Sequence, residues 1–159
     1  SDHGLALGSH GLMGKQNMYE HTIRVPLVIA GPGLPEGKQS NALCYLRDLY
    51  PTICDLVGLP IPKSVEGRSL KPVLRGKSDS VYSEVYGYFR DKQRMVRDKR
   101  RKLIHYPHID RYQLFDLHDD PLERKDLIGD EGHAEVVRRM KEKLSRKMKE
   151  WAAVSKNPR

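Results

Sequence analysis

A carboxylate and an imidazole stand side by side near the start of the chain, at Asp2 and His3, and Gly4 follows them. Both groups can bind a divalent metal ion, but consecutive side chains of a strand normally point to opposite faces. They could reach one ion only where the backbone turns, and a glycine permits backbone angles that are closed to other residues. Taken alone, the tripeptide favours an ordinary loop in which an aspartate precedes a solvent-exposed histidine.

Two further candidates lie in the glycine-rich segment that follows. Lys15 carries a positive charge that could neutralise an anion, and His10 could face a pocket or be a plain loop residue. Another group of histidines and aspartates occurs later, but its spacing matches no known pattern of metal ligands. We therefore interpret that group as strand and turn residues. Its members are His105, His108, His118, Asp119 and Asp120.

The segment around these residues resembles the second conserved block of the sulfatase family, within the alkaline phosphatase superfamily. The matching stretches are Ser1-Asp2-His3-Gly4, Gly8-Ser9-His10-Gly11-Leu12-Met13-Gly14-Lys15, Tyr19-Glu20 and Arg24-Val25-Pro26-Leu27. Further resemblance follows at residues 48–52, 66–70 and 112–117, and then at Asp120-Pro121 and Glu123. Because these blocks occur in the family's order and cover almost the whole chain, it is identified as the C-terminal portion of a sulfatase.

The resemblance implies a role for each candidate. Asp2 and His3 would bind the catalytic divalent ion, with Ca²⁺ favoured over Mg²⁺ or Mn²⁺; calcium prefers oxygen ligands, so Asp2 suits it better than His3 does. Lys15 would bind the sulfate and act in catalysis, and His10 would contact the substrate. Sulfuryl transfer spreads negative charge over nonbridging and leaving oxygens, which a cation and a fixed ammonium stabilise. Glu20 and Arg24 are interpreted as structural residues that brace the loop.

The family's nucleophile does not occur in this sequence. It is a cysteine or serine, oxidised to formylglycine, within the pattern C/S-x-P/A-x-R. Cys44 is followed by Tyr45-Leu46-Arg47 and Cys54 by Asp55-Leu56-Val57, and no serine begins the pattern. We therefore expect the formylglycine and the other metal ligands to come from upstream residues, in the remainder of the sulfatase domain. The chain alone is expected to be inactive.

The resulting prediction is a sulfuric ester hydrolase that acts on a sulfated small molecule or glycan. A phosphonate or phosphate monoester hydrolase of the same superfamily is the first alternative. An inactive fragment that only binds sulfated glycan is the second. Five residues are candidates for lining the rim of the substrate site: Tyr86, Tyr88, Arg90, Arg94 and His108.

Local patterns predict the elements that position these residues. The apolar, β-branched run at residues 24–30 predicts a strand that is buried on both faces, as in a parallel sheet. Asp48 near the cap, Pro51 in the first turn and Gly58 at the end predict a helix to about Val57. A short helix is expected at residues 70–74.

The second half of the sequence shows short strand-like patterns and one long helical pattern. Strand-like pieces at residues 81–86, 94–97, 103–106 and 112–117 predict an antiparallel meander. Asp130 would then cap an amphipathic helix with one apolar stripe. The predicted fold class is α/β: residues 1–78 form the C-terminal part of an alkaline-phosphatase-like sulfatase domain, and residues 79–159 form a small antiparallel sheet packed with a C-terminal helix. The stripe comprises Val137, Met140, Leu144, Met148 and Trp151.

The charge distribution and the hydropathy of the chain limit the kinds of partner that are expected. The formal charge of +8 is spread as +3 over residues 1–78 and +5 over residues 79–159, mixed with acidic residues, so a nucleic-acid-binding tail is not indicated. The positive field would favour an anionic substrate. No run approaches the length of a membrane span, and no signal peptide is visible. The resemblance implies a periplasmic, extracellular or otherwise exported protein.

Overall fold

The computed structural model describes residues 1–155, and their side chains as far as Ala152, in two compact units. Ser1, residues 3–25 and those from Tyr86 onward form the sheet unit, and Asp2 and residues 26–85 form the helical unit. The elements in chain order are β1 (Ala6–Leu7), β2 (Met13–Gly14), α1 (Glu20–Ile23), α2 (Leu49–Val57), α3 (Lys71–Leu74), β3 (Glu84–Phe89), β4 (Gln93–Asp98), β5 (Arg101–Tyr106), β6 (Arg111–Asp116) and α4 (Ala134–Ser155).

The sheet is a four-stranded meander in the order β3-β4-β5-β6, as predicted. Its antiparallel register pairs Val96 with Leu103 and Leu103 with Leu114. Side chains alternate between faces, so these three residues share one face, where they form a core with Met140 and Leu144 of α4. We call this the helix face. The predicted stripe of the final helix is therefore confirmed as its buried side.

The opposite face of the same sheet is covered by the N-terminal segment of the sheet unit. Met95, Ile104 and Phe115 form a second core there with Met18 and Tyr19. We call this the loop face. The sheet thus lies between α4 on one side and the segment that follows Lys15 on the other.

Helix ends are set by local chemistry. The Asp130 carboxylate accepts a hydrogen bond from the Gly132 amide (2.9 Å), and one 3₁₀ turn precedes α4. In the helical unit, α2 begins after Asp48 and ends at Gly58, which adopts a left-handed conformation with φ 77°. Both features agree with the sequence, because caps are local signals. The fully buried Asp48 carboxylate also accepts from the Tyr45 and Arg68 amides.

The strand predicted at residues 24–30 is not formed in the described structure. This segment belongs to no strand or helix, and Leu27 and Val28 are 43% and 89% exposed. A strand exists through hydrogen bonds to a neighbour, and the described residues of the helical unit supply no strand to pair with it. The prediction of a buried strand is therefore wrong for the described structure, because an apolar pattern does not identify the neighbour that a strand needs.

The compact units and the predicted domains divide the chain differently. Residues 3–25 group with the sheet rather than with residues 26–78. The domain boundary after residue 78 stays a prediction. No helix in the described part of the chain is both long and apolar enough to cross a membrane.

Candidate active site

The loop that carries His10 and Lys15 is closed at its base by Gly4. The Gly4 amide donates to the Thr22 carbonyl (2.7 Å), and a Cβ atom at this position would overlap the carbonyl oxygen of His21. Gly4 is therefore required for close approach of two backbones, not for an unusual backbone angle. Strands β1 and β2 pair within the loop, with Ala6 opposite Gly14.

The structure brings His3 and Lys15 together. The Lys15 ammonium lies 2.8 Å from Nε2 of His3, and Nδ1 of His3 lies 2.9 Å from the Gly4 carbonyl oxygen. Only an N–H can face a carbonyl, so these contacts assign the proton to Nδ1 and the lone pair to Nε2, which accepts from Lys15. Both side chains are exposed. A predicted metal ligand and the predicted sulfate-binding lysine thus form one exposed pair.

Asp2 and His3 could bind a metal ion only as part of a larger donor set. A carboxylate suits a hard cation, but the lone pair on Nε2 of His3 accepts from Lys15 in this structure, so His3 could bind an ion only after that contact is released. Calcium takes about six to eight oxygen ligands, whereas residues 1–155 contain no group of three or more His, Cys, Asp or Glu side chains placed to hold one ion. Coordination by Asp2 and His3 stays a prediction.

The later histidines are separated from this site and from one another. His105 contacts Asp110 (3.4 Å), His108 contacts Asp91 (2.9 Å) and His118 contacts Asp119 (2.6 Å). Each histidine therefore has its own aspartate partner.

His10 is fixed on two sides. Its ring stacks on Tyr19 with centroids 4.0 Å apart and planes 8° apart, and its Nε2 lies 3.1 Å from the Leu122 carbonyl, to which it donates. His10 adopts a left-handed conformation with φ 56°. Its ring lines an open cleft of about 460 Å³. The other lining residues are Ser9, Glu20, His21, Pro121, Leu122, Glu123 and Arg124.

His21 lies in the same stack and is electrostatically distinct from the exposed histidines. Its ring centroid lies 5.6 Å from that of His10 and 5.8 Å from that of Tyr19. Burial, followed by the charges of His10 and Lys102, lowers the pKa of His21. A neutral imidazole is therefore favoured on this wall of the cleft.

A buried ionic cluster holds the segment after Lys15 onto the loop face. The fully buried Lys102 ammonium lies 2.7 Å from carboxylate oxygens of both Glu20 and Glu123, and donates to the Met18 carbonyl (3.0 Å). The Glu123 carboxylate also accepts from the Glu20 amide (2.6 Å), and Arg97 Nε lies 3.1 Å from Glu20. Two carboxylates thus balance two cations, as buried charges require.

Sequence reasoning found part of this cluster. Glu20 was interpreted as a bracing residue, which agrees with its contacts, but Lys102 was missed. Burial raises the pKa of Glu123, and the charge of Lys102 opposes that rise. The sequence signal that could have indicated the burial of Lys102 is the alternation of side chains along β5. Lys102 lies two positions before the buried Ile104 and therefore shares its face of the sheet.

Three of the five rim candidates lie on the helix face. Tyr86 and Tyr88 contact Trp151 of α4, so they lie on the helix face, opposite the loop that carries Lys15. Arg94 lies over the Tyr88 ring. That these residues line the rim of the substrate site stays a prediction, and their position favours a separate surface.

Known proteins match this chain over most of its length. The family described as N-sulphoglucosamine sulphohydrolase, C-terminal, matches residues 8–150. A Delta 4,5-hexuronate-2-O-sulfatase of Bacteroides thetaiotaomicron is 34% identical over 149 residues, which cover 86% of this chain and 31% of the relative. An N-acetylglucosamine-6-O-sulfatase of the same organism is 32% identical over 164 residues, which cover 95% of this chain and 29% of the relative. The chain spans about a third of the length of these relatives.

Solved structures give the same result. A protein in complex with D-glucosamine-2-N,6-O-disulfate, described as its substrate, has a TM-score of 0.85 and 29% identity, over 96% of this chain and 34% of that one. A phosphonate monoester hydrolase of Agrobacterium radiobacter has a TM-score of 0.74 and 29% identity, over 91% of this chain and 33% of that one.

One further relative matches by sequence over a shorter stretch. An extracellular sulfatase SULF-1 homolog of Drosophila melanogaster is 42% identical over 82 residues, which are 51% of this chain and 7% of that protein. The predicted fold class is confirmed, and the chain belongs to the sulfatase family of the alkaline phosphatase superfamily, as its C-terminal portion.

Proposed function

We propose that the protein to which this chain belongs is a sulfuric ester hydrolase that hydrolyses sulfate monoesters of glycans. The observation that carries the proposal is the exposed contact between Lys15 and His3, next to Asp2, in a chain that matches sulfatases. The attacking group would be a formylglycine supplied by upstream residues. This chain then contributes the charge that binds and stabilises the sulfate.

Lys15 has hydrogen-bond donors for a sulfate besides the one that faces His3. An ammonium has three N–H donors, and the contact with His3 uses one of them. The other two can donate to sulfate oxygens. As the bond to the leaving oxygen breaks, negative charge grows on that oxygen, and a fixed ammonium nearby stabilises the transition state more than the ground state.

Asp2 would hold a divalent ion together with upstream ligands, and His3 would join them through Nε2 once Lys15 has moved from that atom to the sulfate. Ca²⁺ is the proposed ion, because the Asp2 carboxylate is a hard oxygen donor, with Mg²⁺ and Mn²⁺ as alternatives. When bound, such an ion polarises the sulfate and stabilises anionic oxygen. On the chain's own side, the hydrogen bond from Nδ1 to the Gly4 carbonyl orients the His3 ring.

His10 is proposed to contact the sugar. Because its Nε2 donates to the Leu122 carbonyl, its Nδ1 carries the lone pair and can accept from a hydroxyl group. The ring is held by its stack on Tyr19, so the acceptor has a fixed direction. The cleft beside it would hold part of the substrate.

Turnover of two small esters by the whole protein tests the proposed reaction. With 4-nitrophenyl sulfate and a 4-nitrophenyl phosphonate ester, we expect a higher kcat/KM for the sulfate. The chain of 159 residues alone should release no nitrophenol from either ester. A preference for the phosphonate ester would replace this proposal with the alternative hydrolase, which the similarity to the Agrobacterium enzyme favours as the second candidate.

An inactive, glycan-binding fragment is the remaining alternative for the isolated chain, and its charge of +8 favours anionic ligands. Export from the cytoplasm is also proposed, since the relatives include a protein named as an extracellular sulfatase.

A further inference from the structure

Aromatic rings and cations share one surface on the helix face, formed by β3, β4 and the C-terminal part of α4. We call it the aromatic-cationic surface and define it by Tyr86, Tyr88, Arg94, Lys147 and Trp151. The Trp151 ring meets Tyr88 edge-on at 5.3 Å and Tyr86 at 6.3 Å. Tyr88 is 64% exposed. A large ring that stays this exposed beside other rings offers a stacking surface for a ligand.

The cations of this surface are placed against its rings. The Arg94 guanidinium lies 5.8 Å from the centre of the Tyr88 ring, and the Lys147 ammonium lies 5.7 Å from that of Tyr86. Arg94 donates to the carbonyls of Arg90 and Gln93. No carboxylate pairs with Arg94 among the residues that the structure describes, so its orientation is fixed by the backbone while its charge stays available.

The helix that borders this surface repeats a basic pattern. Residues Arg138-Arg139-Met140-Lys141-Glu142 are followed, eight positions later, by Arg146-Lys147-Met148-Lys149-Glu150. In each copy the methionine belongs to the side that packs on the sheet, and cations flank it on both sides: Lys141 lies over Tyr112 of β6, whereas Lys147 lies over Tyr86 of β3. Eight residues correspond to about 12 Å along a helix. Basic stretches of this length are typical of patches that bind nucleic acids or heparin-like polymers.

We propose that the aromatic-cationic surface binds a chain of sulfated polysaccharide. Sugar rings would stack on Tyr88 and Trp151, and sulfates would contact Arg94 and Lys147. The choice of a sulfated glycan rests on the proposed function. The surface lies on the opposite side of the sheet from the loop with Lys15, so it would hold the polymer at a second place and not bind the ester that is cleaved.

The acidic residues of α4 favour a glycan over a nucleic acid. Glu135 and Glu142 pair with Arg138, and Glu150 pairs with Lys147 at 2.8 Å. Carboxylates interleaved with the cations weaken the continuous field that a phosphate backbone needs. A polysaccharide with separated sulfates matches such a pattern better.

Binding of a sulfated heparin oligosaccharide to the full chain tests this inference. The double variant Arg94→Gln/Lys147→Gln removes two positive charges from the surface, and Lys38→Gln/Lys63→Gln removes two from exposed positions of the helical unit. Titration calorimetry should show Kd raised about tenfold by the first pair and hardly changed by the second. Tyr88→Ala should also raise Kd about tenfold, whereas Tyr50→Ala, which removes a 56% exposed tyrosine elsewhere, should not.

Three outcomes would overturn the inference: equal effects of the two double variants, equal binding of the desulfated oligosaccharide, or tighter binding of single-stranded DNA that is lost with the same variants. Thermal melting of each variant shows whether it is folded. Turnover of 4-nitrophenyl sulfate by the whole protein separates this inference from the proposed function. Lys147→Gln, which lies outside the rim candidates, should leave that turnover unchanged, and an inactive enzyme that still binds the oligosaccharide through Arg94 and Tyr88 would refute the function but not the surface.

Discussion

The Lys102 ammonium lies 2.7 Å from an oxygen of the Glu123 carboxylate, and both side chains are buried in the sheet unit. Residue 123 comes two positions after Pro121, whereas Lys102 lies in the middle of the sheet. Their contact joins the cleft wall to the loop face. Because Glu20 shares the same ammonium, this pair also holds the segment that follows Lys15.

Lys102→Met should destabilise the chain by about 3–5 kcal/mol, since removal of one partner leaves buried carboxylates without their counter-charge. Urea unfolding followed by circular dichroism would measure the change. Lys125→Met, at an exposed position, is the matched control and should change stability by less than about 0.5 kcal/mol. Adding Glu123→Leu to Lys102→Met should recover part of the loss; strictly additive losses would contradict the coupling.

Gly4→Ala should destabilise the sheet unit by about 3 kcal/mol, because a methyl group there overlaps the backbone carbonyl of His21. Gly129→Ala is the control in the same unit, since nothing lies within 4 Å of its added Cβ. Hydrogen exchange of the amides near Gly4 should be faster in Gly4→Ala and unchanged in Gly129→Ala. Equal melting temperatures for the two variants would refute the close approach.

These elements show which parts of the molecule a sequence can predict. The ends of α2 and the apolar stripe of α4 follow from residues within a few turns of each other, and both agree with the structure. The strand expected at residues 24–30 depends on a distant partner that no local pattern identifies. The cluster around Lys102 was missed for the same reason, because its members come from positions 20, 97, 102 and 123.

The candidate site shows the same division. The resemblance singled out Lys15 and His3, and the structure adds that they touch. Spacing alone could not give this contact, since it depends on the pairing of β1 with β2 and on the anchoring of Gly4 to Thr22. The position of His10 against Tyr19 depends equally on the folded loop.

Lys15→Ala in the whole protein should lower kcat for a sulfate ester by about 10²–10³, the range found when one transition-state charge partner is removed. Metal content should stay unchanged, because Lys15 contacts the sulfate and not the ion. Steady-state turnover beside elemental analysis would measure both. Lys38→Ala is the control for a lost surface charge, and full activity of Lys15→Ala would rule out its role.

Asp2→Ala should instead lower metal occupancy and, with it, all turnover. A carboxylate on a divalent ion is replaced at best by a water molecule, which binds the ion more weakly. Elemental analysis after dialysis separates this variant from Lys15→Ala. If Asp2→Ala retained the metal content of the unmodified protein, coordination by Asp2 would be excluded.

His105 predicts a pH dependence of stability. It stacks on Tyr112 with ring centroids 4.0 Å apart, and Asp110, Lys141 and Arg94 are the charged groups around it. Burial lowers its pKa, with Asp110 opposing that shift. The folded state therefore binds the proton less readily than the unfolded state, so His105 stabilises the fold above its ordinary pKa of 6.5 and loses this contribution as pH falls.

The measurement is the melting temperature of the chain between pH 7.5 and pH 5. His105→Gln should show a smaller decrease on acidification than the unmodified chain. His108→Gln, at an exposed position, is the control and should follow the unmodified chain. An unchanged slope for His105→Gln would contradict the assignment.

The position of the N-terminal segment on the loop face has a consequence for synthesis. Met18 and Lys102, which bond to each other, are 84 positions apart. A ribosome adds roughly 5–20 residues per second, so the segment that carries Lys15 emerges several seconds before the strand on which it docks. The hairpins of β4, β5 and β6 join neighbouring stretches and can form as soon as they are made. The candidate active-site loop is therefore translated before the strands on which it docks, and its position on the sheet is completed only after Lys102 and Glu123 have been made.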